Sequence, residues 1–136
     1  MMPPHRFNVR VYYEDTDFSG IVYHAAYLHY FERARTEFLR ALGIHHSELI
    51  REGIAFAVRA MTIEFDAAAQ IDDMLEVETA VEAVTAARLQ LVQTIRRGST
   101  VITRAGVLVV AIRASGRPSR LPPAMLARLR PAESNP

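Results

Sequence analysis

A single run of helical periodicity, in a chain otherwise made of strand-like runs, most constrains this fold. Over residues 25–42, apolar side chains recur at intervals of three and four residues and form one stripe: Tyr27, Phe31, Ala34, Phe38 and Leu42. This spacing is typical of a helix with one buried face. Gly43 follows, and a glycine at this place ends many helices. We therefore predict one long amphipathic helix in the first third of the chain.

Five further runs have the two-residue period of a β-strand. One precedes the helix, at residues 7–13, and four follow it, at residues 54–65, 75–81, 88–96 and 101–113. The apolar phase changes between Val58 and Met61, which indicates a β-bulge or a strand buried on both faces. One helix and an antiparallel sheet of five strands predict an α+β domain. A short last helix is expected at residues 124–130, and the uncovered apolar sheet face predicts contact with another subunit.

Length and composition limit the class of protein. A chain of 136 residues with 50% hydrophobic residues is the size of one domain, so residues 1–136 are taken as one unit. No apolar stretch is long enough to span a membrane, and the first ten residues lack the apolar segment of an export signal. A cytoplasmic location is therefore expected. Cysteine is absent, which removes disulfides, thiolate nucleophiles and zinc–thiolate sites.

The basic residues are unevenly distributed. All 16 are arginine, and residues 83–132 contain no Asp or Glu although several arginines, Arg88 among them, fall there. For most of these a solvated surface is the plainer interpretation. The alternative is a phosphate-binding surface, because the guanidinium fork matches phosphate oxygens. No nucleic-acid-binding motif accompanies the charge, so no nucleic-acid partner is predicted.

The stretch YYEDTDFSGIVYHAAYLHYFERARTEFL places carboxylates and a histidine between the first strand and the helix. Asp17, next to Ser-Gly, has the spacing of a turn residue, which its position alone favours. Aromatic neighbours would also desolvate its carboxylate and raise its pKa, as suits a general base or nucleophile. Glu14 and Asp15 are taken as solvated loop acids, although Asp15 and Asp17 on an extended chain would point the same way as a dyad or metal pair.

His24 lies immediately before the predicted helix. Its imidazole can exchange a proton near pH 7, but a packed surface histidine is equally consistent with the side chain alone. The first backbone N–H groups of a helix have no intrahelical acceptor, so this end of the helix is a natural site for an oxyanion. His45 and His46 are adjacent and diverge on a helix, which favours a loop over a metal site. Ser19 lacks the motif of a serine hydrolase.

The same stretch resembles the signature of the hotdog-fold acyl-CoA thioesterases of the 4-hydroxybenzoyl-CoA thioesterase type, and most of all the branch associated with the bacterial Tol–Pal system. The similarity continues through AFAVRAMTIEFDAAAQIDDMLEVET and fades after about residue 112. The resemblance implies a hotdog: a long central helix wrapped by a five-stranded antiparallel sheet, paired in a homodimer and commonly assembled as a homotetramer.

The resemblance also implies roles for individual residues. The catalytic carboxylate of the family matches Asp17, and the backbone donors that hold the thioester carbonyl match Tyr23 and His24. Arg88 begins the strand where the family places residues that contact the CoA nucleotide. No metal and no redox cofactor is implied. Phe18 and Ser19 stand where related sequences carry small residues or proline, so the shape of the acyl pocket is expected to differ.

The predicted function is hydrolysis of an acyl-CoA thioester, and two alternatives stay open at this point. A hydratase or dehydratase acting on enoyl thioesters would use an Asp and a His together, and His24 follows Asp17 by seven residues. A non-catalytic module that binds acyl-CoA, or an envelope-associated partner, would need no turnover at all.

Overall fold

A computed structural model describes residues 2–130 of the chain. Its helices and strands follow the order expected of a hotdog, with two short additions. In chain order they are β1 (His5–Arg10), α1 (His24–Ala41), α2 (His46–Arg51), β2 (Ile54–Phe65), β3 (Met74–Val84), β4 (Arg88–Arg97), β5 (Thr100–Arg113), β6 (Pro118–Ser119) and α3 (Pro123–Leu129).

The strands form one antiparallel sheet. The five long strands lie in the order β1-β3-β4-β5-β2, and the two-residue β6 pairs with β5. The predicted bulge in β2 is confirmed, because the register against β5 shifts between Val58 and Ala60. The five predicted strands are all present, and β6 is a short addition that its proline-rich sequence did not reveal.

The long helix α1 packs its predicted stripe against the sheet. Tyr27, Phe31, Ala34 and Phe38 are buried, with Tyr30 fully enclosed beside them. Gly43 takes a φ of +77°, a left-handed conformation that glycine adopts without steric cost, and its N–H donates to the carbonyl of Arg40 at 2.9 Å. The prediction of one long amphipathic helix ended by Gly43 is therefore confirmed.

Two local predictions were wrong. The first strand ends at Arg10 and not at Tyr13, because residues Tyr13–Asp15 form a turn of 3-10 helix. The Asp15 carboxylate stabilises that turn by accepting a hydrogen bond from the N–H of Tyr12 at 2.8 Å. The segment with His45 and His46 is not simply a loop, since His46 is the first residue of the six-residue helix α2.

The strand β2 is an edge of the sheet, and apolar side chains on it and beside it are only partly covered. Val58 and Phe65 on β2 remain 46% and 44% exposed, and Leu28 on the neighbouring flank of α1 is 45% exposed. An open edge with apolar side chains beside it is a surface that proteins usually cover. Among residues 2–130, no helix has the length and apolar character to cross a membrane.

Candidate active site

The segment between β1 and α1 is a tight loop closed by backbone hydrogen bonds. The N–H of Asp17 donates to the carbonyl of Ile21 at 2.9 Å, and the N–H of Gly20 donates to the carbonyl of Asp17 at 3.0 Å. Gly20 has a φ of +82°, where a side chain would be strained. Residues 17–21 therefore form a turn, as the position of Asp17 predicted, and this turn leads the chain back toward the start of α1.

The carboxylate of Asp17 is exposed and held by its own loop. Its Oδ1 accepts hydrogen bonds from the N–H of Ser19 at 2.9 Å, from the Ser19 hydroxyl, and more weakly from the N–H of Ile21 at 3.4 Å. The hydrogen bond from the Ser19 hydroxyl is the main reason why the pKa of Asp17 lies below its ordinary value. The expectation of a raised pKa was wrong, because donors surround this carboxylate and burial is slight.

The other two loop acids do not join Asp17 in a dyad. Asp15 accepts from the backbone of Tyr12, whereas Asp17 accepts from Ser19 and Ile21, so the two carboxylates serve different turns. Glu14 is exposed, as expected of a solvated loop acid.

The start of α1 offers two backbone donors next to this loop. Tyr23 is the N-cap, and its own N–H donates to the carbonyl of Asp15 at 3.3 Å. Among the described residues, the N–H groups of His24 and Ala25 have no hydrogen-bond acceptor. The free donors at the helix N-terminus are therefore those of His24 and Ala25, while Tyr23 ties the helix to the loop.

Asp17, Tyr23 and His24 line one pocket of about 370 Å³. Its opposite wall is the end of β2 and the segment after it, which includes Phe65 and Ala67. The His24 ring meets Phe65 edge to face with 4.9 Å between the ring centroids. Three of the four residues predicted from the sequence are thus brought together beside the free helix N-terminus.

The wall of this pocket is held in place by a buried tyrosine. The Tyr27 hydroxyl accepts a hydrogen bond from the N–H of Ala69 at 3.1 Å, and the N–H of Val22 donates to the carbonyl of Ala69 at 3.0 Å. Burial raises the pKa of Tyr27, so the hydroxyl stays protonated. No local pattern in residues 66–69 marks them as part of a site, and only the folded chain brings them there.

Phe18 and Arg88 do not line the pocket. Phe18 is fully exposed at the tip of the loop. Arg88 is the first residue of β4. Ile95, seven residues later on the same strand, pairs with Thr103 of β5, which in turn pairs with Phe65 at the pocket. Seven residues of strand span about 23 Å, so Arg88 lies at the other end of the sheet from Asp17 of the same chain.

Several of the arginines in the second half of the chain form ion pairs with acidic residues between positions 66 and 78. Arg96 pairs with Glu78, Arg97 with Asp73 at 2.8 Å, and Arg104 with Asp66 at 2.8 Å. These three guanidinium groups follow the plainer interpretation of the charge pattern.

Comparisons with known proteins identify the family of the chain. Residues 11–129 match the family described as the Thioesterase-like superfamily. The acyl-CoA thioesterase YbgC of Haemophilus influenzae is 47% identical over 107 residues, which cover 78% of this chain and 79% of that protein. The acyl-CoA thioester hydrolase YbgC of Escherichia coli O6:H1 is 46% identical over 108 residues, 79% of this chain and 81% of that protein.

A solved structure extends the similarity to the fold. The crystal structure of a "Probable Thioesterase" from Bartonella henselae superposes with a TM-score of 0.84 at 43% identity, and the match covers 88% of this chain and 99% of that one. The resemblance on which the sequence analysis relied is confirmed. The chain belongs to the Thioesterase-like superfamily, has its hotdog fold, and is a member of a family of thioester-hydrolysing enzymes.

Proposed function

We propose that this protein hydrolyses an acyl-CoA thioester to a carboxylic acid and free CoA. One observation carries the proposal: the pocket places the Asp17 carboxylate beside a helix N-terminus whose N–H donors at His24 and Ala25 lack an acceptor among the described residues. A carboxylate can act as nucleophile or general base in acyl transfer, and N–H donors at a helix N-terminus can stabilise the oxyanion that forms. The names of the YbgC relatives support the choice of acyl-CoA as substrate.

The chemistry assigned to Asp17 takes one of two forms. Its carboxylate attacks the thioester carbonyl carbon and forms a mixed anhydride that water then opens, or it takes a proton from the water that attacks directly. In both, the C–S bond breaks, the sulfur leaves as the CoA thiol after protonation, and the acyl group becomes the acid. The lowered pKa of Asp17 keeps the carboxylate ionised at neutral pH, as both forms require.

The helix N-terminus stabilises the charge that develops on the carbonyl oxygen. In the proposed complex, the oxygen accepts hydrogen bonds from the N–H of His24 and the N–H of Ala25. Removing one donor of this kind from other enzymes costs about 100- to 1,000-fold in rate. Tyr23 is a positioning residue in this proposal, since its N–H and its hydroxyl donate to the carbonyls of Asp15 and Glu14 at 3.3 and 3.4 Å.

The test is release of CoA thiol from short-chain, long-chain and aromatic acyl-CoAs. Asp17→Asn keeps the shape of the side chain and removes its charge, so we expect turnover to be almost lost, with only the contribution of the helix N-terminus remaining. Glu14→Gln is the matched control, because it makes the same change at an exposed acid of the same loop. No thiol release by folded wild type, or equal losses in the two variants, would refute the assignment.

A hydratase acting on enoyl thioesters is the second candidate, because Asp17 and His24 line the same pocket. It would consume the enoyl chromophore without releasing thiol, so one ultraviolet assay run beside the thiol assay separates the two reactions.

We also propose that the protein works as a homodimer or homotetramer. Pairing of two β2 edges across a two-fold axis would join two sheets and cover Val58 and Phe65. Antiparallel pairing would bring the Arg88 end of one copy toward the Asp17 pocket of the other, which supports a role for Arg88 with the CoA phosphates. Cytoplasmic location and association with the Tol–Pal system stay predictions.

A further inference from the structure

One wall of the Asp17 pocket comes from the segment between β2 and β3, residues 66–73, here called the wall segment. Its first three residues, Asp66–Ala68, line the pocket. The first two N–H groups of the segment donate to the carbonyl of Ile102 at 2.8 and 3.1 Å. The segment contains no helix and no strand of the sheet, so its shape depends on the individual hydrogen bonds that hold it.

The peptide group that joins Ala68 to Ala69 is held on both sides. Its N–H donates to the Tyr27 hydroxyl at 3.1 Å, and its carbonyl oxygen accepts a hydrogen bond from Nη1 of Arg97 at 3.2 Å. Tyr27 lies on α1 and Arg97 is the last residue of β4, so the peptide is held from the helix and from the sheet. Among residues 2–130, no donor other than Arg97 reaches this carbonyl.

Arg97 is itself fixed by the carboxylate of Asp73. Its Nη1 donates to Oδ2 of Asp73 at 2.8 Å, and the same oxygen accepts from the N–H of Gln70 at 2.9 Å. Burial alone would raise the pKa of Asp73, but the hydrogen bonds from Gln70 and Arg97 outweigh it and hold the pKa below its ordinary value. The carboxylate therefore closes the end of the wall segment in its ionised form and ties it to β4.

The wall segment also contacts the loop that carries Asp17. Residues 69–71 pair with residues 20–22 of that loop through two backbone hydrogen bonds of 3.0 Å each. A shift of the Ala68–Ala69 peptide would therefore displace the wall of the pocket and pull on the loop opposite it.

We propose that Arg97 and Tyr27 clamp this peptide, and that the clamp sets the width of the pocket and its selectivity among acyl groups. The selectivity rests on the proposed function, whereas the clamp is a property of the fold. Arg97 does not line the pocket, so it is a positioning residue that acts through the peptide. A misplacement of about 1 Å can cost about 100-fold in rate, whereas an ion pair as exposed as this one adds little to stability.

Hydrogen exchange of backbone amides, followed by NMR, tests the clamp without any turnover. Arg97→Gln shortens the side chain and removes its charge. We expect the Ala69 amide to exchange about 3- to 10-fold faster in this variant, because its peptide loses one of two supports. The control is Arg96→Gln, the same change at the neighbouring residue of β4, whose guanidinium pairs with Glu78 outside the pocket. It should leave the Ala69 amide at the wild-type rate.

Thiol release from the same panel of acyl-CoAs tests the kinetic consequence. Arg97→Gln should lower kcat/KM about 10-fold for the acyl groups that wild type uses best, chiefly through KM, and narrow the spread of kcat/KM across the panel. A purely structural loss would lower every substrate by the same factor, because less folded protein scales all rates alike. Arg96→Gln should keep the spread of wild type.

Two further variants keep the test decisive if Arg97→Gln fails to fold. Asp73→Asn keeps an acceptor oxygen but removes the charge that holds the guanidinium, so it should change exchange and selectivity in the same direction by a smaller factor. Tyr27→Phe removes the acceptor of the Ala69 N–H. In that background Arg97→Gln should accelerate exchange by a smaller factor than in wild type, because the clamp is already open on one side.

The two measurements fail separately. Faster exchange of the Ala69 amide in both Arg97→Gln and Arg96→Gln, or in neither, would overturn the clamp. An unchanged spread of kcat/KM in folded Arg97→Gln would overturn its control of selectivity. No thiol release by wild type would refute the proposed function, and with it the selectivity, while the exchange rates would still decide whether the clamp exists.

Discussion

The side-chain amide of Gln93 is fully buried, and its hydrogen bonds can be tested directly by substitution. It forms three hydrogen bonds, with Phe31, Thr79 and Arg35, inside a core where water has no access. Gln93→Met fills nearly the same volume and can make none of them. The change therefore isolates the polar contribution from the packing contribution.

The expected loss of folding free energy follows from the hydrogen-bonding groups that lose Gln93 as a partner. The carbonyl of Phe31 lies within α1 and keeps its helical environment, so its loss is small. The Thr79 hydroxyl and the Arg35 guanidinium each lose a buried partner, and each unsatisfied group costs about 1–3 kcal/mol. We expect the free energy of unfolding to fall by about 2–5 kcal/mol, a large part of the roughly 5–15 kcal/mol typical of a domain.

The assay is urea denaturation followed by far-ultraviolet circular dichroism. Protein concentration is held constant, because association of copies would stabilise the folded chain by mass action. Gln90→Met is the control, since Gln90 lies on the same strand and faces the opposite side of the sheet, where we expect a change within about 0.5 kcal/mol. In a Thr79→Val background, Gln93→Met should cost less than in wild type, because one of its partners is already gone.

A loss below about 1 kcal/mol for Gln93→Met would refute this account. Equal losses for Gln93→Met and Gln90→Met would do the same. Either result would also show that the Gln93 amide does not anchor the Arg35 side chain.

Three other predictions follow from the loop and the sheet edge. Activity that depends on ionised Asp17 is lost only as pH falls below the ordinary Asp value of 3.8, and Ser19→Ala, which removes a donor, should move this acidic limb of kcat/KM to higher pH. Gly20→Ala should reduce the free energy of unfolding by about 1–3 kcal/mol in urea titrations, because φ is +82°; no loss would contradict that strain. Light scattering should give at least twice 15.3 kDa for wild type and a smaller mass for Val58→Lys, whose charge opposes burial beside β2; a monomeric wild type would refute the paired edges.

Local sequence determined the individual elements of this protein. The stripe from Tyr27 to Phe38 specified α1, and alternation specified the long strands, because side-chain period follows directly from backbone geometry. The helix end at Gly43 and the bulge after Val58 could also be predicted from the sequence, because each interrupts a local pattern. The motif around Asp17 identified the family. The family resemblance then named the fold, which periodicity alone could not do.

Tertiary structure decided which of these pieces meet. The pairing of β1 with β3 and of β2 with β5 joins segments distant in the chain, and no local period encodes a partner. That pairing brings Phe65 against His24 and gives the Asp17 pocket its second wall. The lowered pKa of Asp17, in contrast, comes from donors only two and four residues away in its own turn. Residue type sets which chemistry is available, but distance and burial decide how charges and hydrogen bonds act, and these exist only once the chain has folded.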